Sequence, residues 1–300
     1  MTANPSLSID LVADFRALVQ FPFMVHALEA ATIVAVLASV IGWYVVLRRQ
    51  SFAAHTLSVM AFPGAAGAAL AGLPTGLGYY LACAAAAAAI GGIRPRLGAG
   101  AGGETAAVGT VQVAGLAAGF VFLSLNNQIL VGLETLLFGT FLGISSSQVA
   151  TLLAVAAGAL GALALIARPL LFCTLDPEVA RARGVPVRAL DVLFLLILAV
   201  AVAATTQITG ALLSFALLVA PPATAQLVTN RALPALALSV AIAVLVAWLG
   251  LAAAYFSIYP VGFYTTTFAL AAYVLAWAGR AAHRRLAGRR LTRGLAVETG

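Results

Sequence analysis

The chain has 300 residues, 63% of them hydrophobic and only 8% charged, with a mean hydropathy of +1.08 and a formal net charge of +7. A soluble domain carries about 25% charged residues, so an ordinary soluble fold is excluded. All sixteen basic residues are arginine, so a phosphate-cradling G-x-x-x-x-G-K-[ST] loop is excluded as well.

Apart from His55, uncharged stretches run over 30–47, 50–93, 105–133, 135–167, 192–230 and 232–279. A spanning helix needs about 20 apolar residues to cross a hydrocarbon core of about 30 Å. The pattern predicts an all-α polytopic membrane protein of about nine transmembrane helices; the alternative is eight plus a re-entrant segment. If the first span ends at Arg48 and the chain alternates, fifteen of the sixteen arginines fall on one side, Arg16 alone excepted. Positive loops mark the cytoplasm. The expected location is the plasma membrane, with the N-terminus outside and the C-terminus inside.

Residues 1–25 read as an extracytoplasmic segment, without the basic start and compact apolar run of a cleavable signal. The transmembrane domain is expected over 26–280. Span 1 covers about 27–47, and His26 and Glu29 stand one turn apart near its outer end, either a weak cation pair or residues meeting the water interface. Spans 2 and 3, about 54–72 and 75–93, turn at GLPTGLG. Span 2 holds His55, then Pro63, Gly64 and Gly67, read as close helix packing with a path-lining kink as the alternative. Met60, Cys83 and Cys173 read as packing residues. GAGAGGET, 98–105, reads as a loop before span 4, about 105–124. The stretch 126–147, with Glu134, is too apolar for an ordinary loop and is expected at the interface or dipping into the protein.

Span 5, about 148–167, leads into a long insertion, 168–190. Within it, DPEVARARGVP predicts a helix of two turns. Asp176 caps it, Pro177 suits the first position, Glu178 favours the positive end, and Gly184 terminates it. Spans 6 and 7, 189–206 and 210–228, join at TTQITG, where Thr206 and Gln207 offer oxygen donors. Spans 8 and 9 cover about 235–254 and 262–279. The basic tail 281–300 is expected to rest on anionic lipid heads rather than on nucleic acid. The nine acidic residues are scattered, with no paired-carboxylate or Ser/His/Asp constellation, so the chain is not expected to be an enzyme.

Six motifs in order resemble the membrane subunits of ABC importers for zinc and manganese, over about residues 25–280. They are LRRQSFAAHTLSVMAFPG at 47–64, GETAAVGTV at 103–111, LLFGTFLGIS at 136–145, DPEVARARGVPVRALD at 176–191, ITGALLSFALLVAPPATAQL at 208–227 and PVG at 260–262. The resemblance implies a type II importer-like permease, paired with a second copy as a homodimer around a shared pathway. It also implies two cytoplasmic ABC ATPase subunits, an extracytoplasmic metal-binding protein and no tightly held cofactor. Asp176, Pro177, Glu178, Ala180, Arg183 and Gly184 then belong to a coupling helix seated on the ATPase, with Ala180 and Gly184 small enough for close approach and Arg181 and Arg183 facing acidic groups.

The family pattern places an aspartate and, four residues on, a histidine in span 2, where i and i+4 share a helix face. Here those positions are His55 and Val59. A buried imidazole tends to be neutral, and neutral imidazole suits zinc better than oxygen-preferring manganese. The expected cargo is a divalent transition metal, zinc ahead of manganese, with His55 as a path ligand and two His55 side chains facing across the pair. A purely structural His55, hydrogen-bonded to Thr56, Ser58 or a carbonyl, is the alternative; so is the same architecture carrying a metal chelate or a small non-metal solute.

Overall fold

A computed structural model describes residues 20–93, 101–125, 143–257 and 259–298, and every regular element in them is helical. In chain order they are α1 (Pro22–Leu47), α2 (Ser51–Val59), α3 (Ala61–Leu70), α4 (Thr75–Ile93), α5 (Ala101–Leu125), α6 (Ser146–Leu175), α7 (Pro177–Ala182), α8 (Val187–Val228), α9 (Ala232–Tyr255) and α10 (Val261–Glu298). Among the described residues eight helices are long and apolar enough to cross a membrane, α2 and α3 counting as one and the first arm of α8 as another. The expected ninth pass exists as a shorter apolar helix, Leu213–Val228. Its sixteen residues rise about 24 Å at 1.5 Å each, short of a full core.

That short pass arises at Gly210, whose φ of 77° and ψ of 162° break α8 into two arms. Only glycine reaches such a conformation without strain. The Thr205 and Ser214 hydroxyls, nine residues apart, lie 2.6 Å from one another, whereas nine residues of continuous helix would separate them by about 13 Å. The chain therefore doubles back. Both arms start or finish beside Arg48: Asp191 pairs with Arg48, and Gln226 Nε2 donates to the Trp43 carbonyl at 3.0 Å. Arg280 Nη1 donates to the Leu227 carbonyl at 2.9 Å, bringing α10 to the same end. At the opposite end the rings of Phe21 and Tyr255 stand 6.5 Å apart.

Burial separates a centre from a rim. The apolar windows of α1, of α2–α3 and of the first arm of α8 are 67%, 72% and 61% buried, against 22%, 28% and 17% for α5, α6 and α10. The rim helices turn Phe120, Leu165 and Leu275 outward, as lipid-facing helices do. Small residues set the packing at the centre. Gly64 of α3 and Gly78 of α4 meet backbone to backbone, and Gly42 of α1 lies against the Leu218 carbonyl. Such crossings let helices approach closely without a hydrophobic drive between them. Cys83 and Cys173 are free and buried, and Met60 packs on α5 at Gly115.

Several boundaries differ from expectation. Helix α1 starts at Pro22, inside the segment read as 1–25, because proline fits the first turn where its missing N–H costs nothing. Helix α6 passes through Pro169 to Leu175, so the insertion is mostly helix. Leu170 and Cys173 bury themselves in the core and hold the extra turns. The glycine-rich stretch is helical from Ala101 on, and α10 continues past 279 into the tail. Glu134 and most of 126–147 lie outside the described residues.

Candidate functional site

Span 2 is two helices meeting at Met60. Pro63 cannot donate to the Val59 carbonyl, and its ring crowds that carbonyl, so the turn between them opens. On α2, Ala53, Ala54, Thr56, Leu57 and Ser58 are buried. Ser51, Phe52, His55 and Val59, which share the opposite side, are the less buried ones. The two positions of the family's ligand pair thus fall on the less buried side of α2 among the described residues.

His55 sits near half-depth. Its neighbour Thr56 donates to Gln112 Oε1 of α5 at 2.8 Å, the Leu57 carbonyl accepts from Cys83 Sγ midway along α4 at 3.3 Å, and its ring meets Phe215 of the returning arm edge-on, centroids 4.9 Å apart. Thr56 is engaged with Gln112, Ser58 donates to the Ala54 carbonyl at 3.1 Å, and His55 Nδ1 is buried without a partner among the described residues.

The remaining candidates lie apart. His26 and Glu29 are on α1 toward the end far from Arg48, His26 half-buried and Glu29 exposed, with no ion pair between them among the described residues. Thr206 Oγ1 is buried without a partner among the described residues, and Gln207 lies against Gly76 at the start of α4. Seven residues of α4, or about 10 Å, separate that level from Cys83 and His55. Among the described residues no three of His, Cys, Asp and Glu come together, so one chain offers a single imidazole at half-depth rather than a closed metal cage. Sequence reasoning missed Gln112 and Phe215 because neither residue type announces a ligand; only the packing puts them beside His55.

The second feature is α7, at the Arg48 end. Asp176 Oδ1 accepts from the Val179 N–H at 3.0 Å, Pro177 opens the helix, and Gly184, at φ +78°, closes it as Val185 N donates to the Ala180 carbonyl at 3.0 Å. Glu178, Arg181 and Arg183 are exposed. Ala180 departs from expectation: it is fully buried in its own chain, so it seats α7 on α6 and α8 rather than meeting a partner. A helix this short has little stability of its own. Asp176→Ala is expected to remove about 1 kcal/mol of capping, seen as roughly fivefold faster hydrogen exchange at the amides of 179–182 with the spans unchanged; unaltered exchange would show that packing alone fixes α7.

The ABC 3 transport family matches residues 20–280. The manganese transport system membrane protein MntC of Halalkalibacterium halodurans is 31% identical over 222 residues, 74% of this chain and 75% of that protein. The chelated iron transport system membrane protein YfeC of Yersinia pestis is 30% identical, over 80% of this chain and 79% of the other. Among solved structures, PsaBC from Streptococcus pneumoniae in complex with Fab aligns with a TM-score of 0.78 at 24% identity, covering 89% of this chain and 95% of that one.

Proposed function

The chain belongs to the ABC 3 transport family and is a multi-pass membrane permease rather than an ATPase, and from that premise we propose that it moves a divalent transition metal ion inward, zinc favoured over manganese. The observation that carries the proposal is the less buried side of α2, where His55 stands at half-depth with its Nδ1 unpartnered among the described residues. One imidazole holds a metal weakly, which suits a path, since a tightly bound ion does not leave. A second copy placed with that side of its α2 opposite this one would bring two His55 rings to a shared axis. The cargo is a substrate passing between them.

The arginine distribution supports a plasma-membrane protein with the N-terminus outside and the Arg48 end in the cytoplasm. Helix α7 then faces separate ATPase subunits, and an extracytoplasmic binding protein delivers the ion at the other end. Lipid is the remaining partner: Arg280, His283 and Arg284 line a cavity of about 510 Å³ at the end of the α8 hairpin, a place for anionic headgroups.

The test is uptake by liposomes holding the permease with its ATPase and binding protein. Zinc uptake that falls at least tenfold in His55→Ala, with hydrolysis still stimulated by the binding protein, is the expected result; equal uptake by both proteins would make His55 structural. A second reading, a chelated metal as cargo, is favoured by the likeness to a chelated-iron permease and wins if only chelated iron is taken up.

A further inference from the structure

We infer that Arg48 is the positioning residue through which α7 moves α2, an inference that rests on the coupling role proposed for α7. Helix α7 is bracketed by Thr174 at the end of α6 and Asp191 in the first turns of α8. Both hold the same side chain. Arg48 Nη1 donates to Thr174 Oγ1 at 2.9 Å, and Nη2 pairs with the Asp191 carboxylate. The Arg48 side chain is 8% exposed, its guanidinium lies over the Phe194 ring at 5.2 Å, and its Nε is buried without a partner among the described residues. Among the described residues this is the one ion pair.

On its other side Arg48 connects to α2 with little slack. Arg49 donates to the Val46 carbonyl at 3.1 Å and Gln50 to the Val45 carbonyl at 2.9 Å, closing the end of α1, and Gln50 is already the N-cap of α2. Arg49 takes φ 57°, a conformation that glycine adopts more readily, so the link is held in one tight shape. His55 follows five residues after Gln50. A displacement of α7 that carries Thr174 and Asp191 with it pulls Arg48, and with it the start of the helix bearing His55. The groups that do not join this link are informative too. Arg181, on α7, and Arg183, which caps its C-terminus, are exposed, and Arg183 lies over Phe172 at 6.0 Å.

The inference is tested in the assembled complex with its ATPase, using Asp191→Asn, Thr174→Val and the charge exchange Arg48→Asp with Asp191→Arg. Two quantities are read: metal taken up per ATP hydrolysed, and the ATP-driven change in mobility of a spin label at Val59→Cys, the native cysteines being buried. Asp191→Asn is expected to keep basal hydrolysis, to lose at least tenfold in uptake per ATP, and to lose the ATP-driven change at the label. Thr174→Val should lose less, and the charge exchange should recover part of both. A label that responds to ATP in Asp191→Asn as it does in the native chain overturns the inference. So does a loss of hydrolysis and thermal stability in proportion to uptake. The label reports on α2 whatever the cargo, so a native complex whose label responds but which carries no metal defeats the metal reading and leaves Arg48 in place.

Discussion

Alanine at Gly78 is expected to disrupt the bundle severely. A Cβ there would run into the Gly64 backbone carbonyl and come within 2.7 Å of the Ala68 Cβ; a Cβ at Gly64 meets the Gly78 carbonyl in return. Backbone atoms on both sides cannot swing away as a flexible side chain can, so α3 and α4 must separate. Overpacking of a close-packed interior costs about 1–3 kcal/mol where side chains can adjust, and more here. Against a native stability of about 5–15 kcal/mol, most of the monodisperse protein should be lost on extraction. Gly158→Ala on α6 is the control: nothing lies within 4 Å of its added Cβ, and helix propensity favours alanine by up to about 1 kcal/mol. A Gly78→Ala protein that unfolds at the native temperature would show that α3 and α4 do not pack as described.

The second large effect concerns selectivity. His55→Asp together with Val59→His rebuilds the ligand pair of the family pattern on the less buried side of α2, with both positions on one helix face. A carboxylate oxygen suits manganese better than an imidazole alone does. The ratio of manganese to zinc uptake should rise at least tenfold in the double variant, equivalent to about 1.4 kcal/mol of relative preference. The single His55→Asp variant should rise less. Uptake that persists in the double variant with an unchanged ratio would move the selecting site away from α2.

Much of this architecture was legible because a bilayer forbids most alternatives. Long apolar segments without charge must be helices, and the spacing of charge locates them. Helix α7 was equally legible, since Asp176, Pro177 and Gly184 each act on their own backbone and need no distant partner. Boundaries were harder. Pro22 fell within the segment read as 1–25 and Pro169 within the insertion 168–190, yet one opens a helix and the other sits inside one. Tertiary burial of Leu170 and Cys173 outweighs the lost hydrogen bond.

By itself the sequence determined that this is an all-helical membrane protein, which end carries the arginines, that α7 is capped at Asp176 and closed at Gly184, and that the ligand positions of span 2 hold His55 and Val59. The first three follow from hydropathy, charge and local backbone preference, all of which act within a few residues; the ligand positions follow from the resemblance to the importer family. Only the tertiary structure decided that Ala180 faces inward, that His55 Nδ1 has no partner among the described residues, and that Arg48 ties Thr174 to Asp191. Each of these depends on which surfaces meet: Thr174 and Asp191 lie 126 and 143 residues from Arg48 in the chain, and no local preference encodes a contact at that separation.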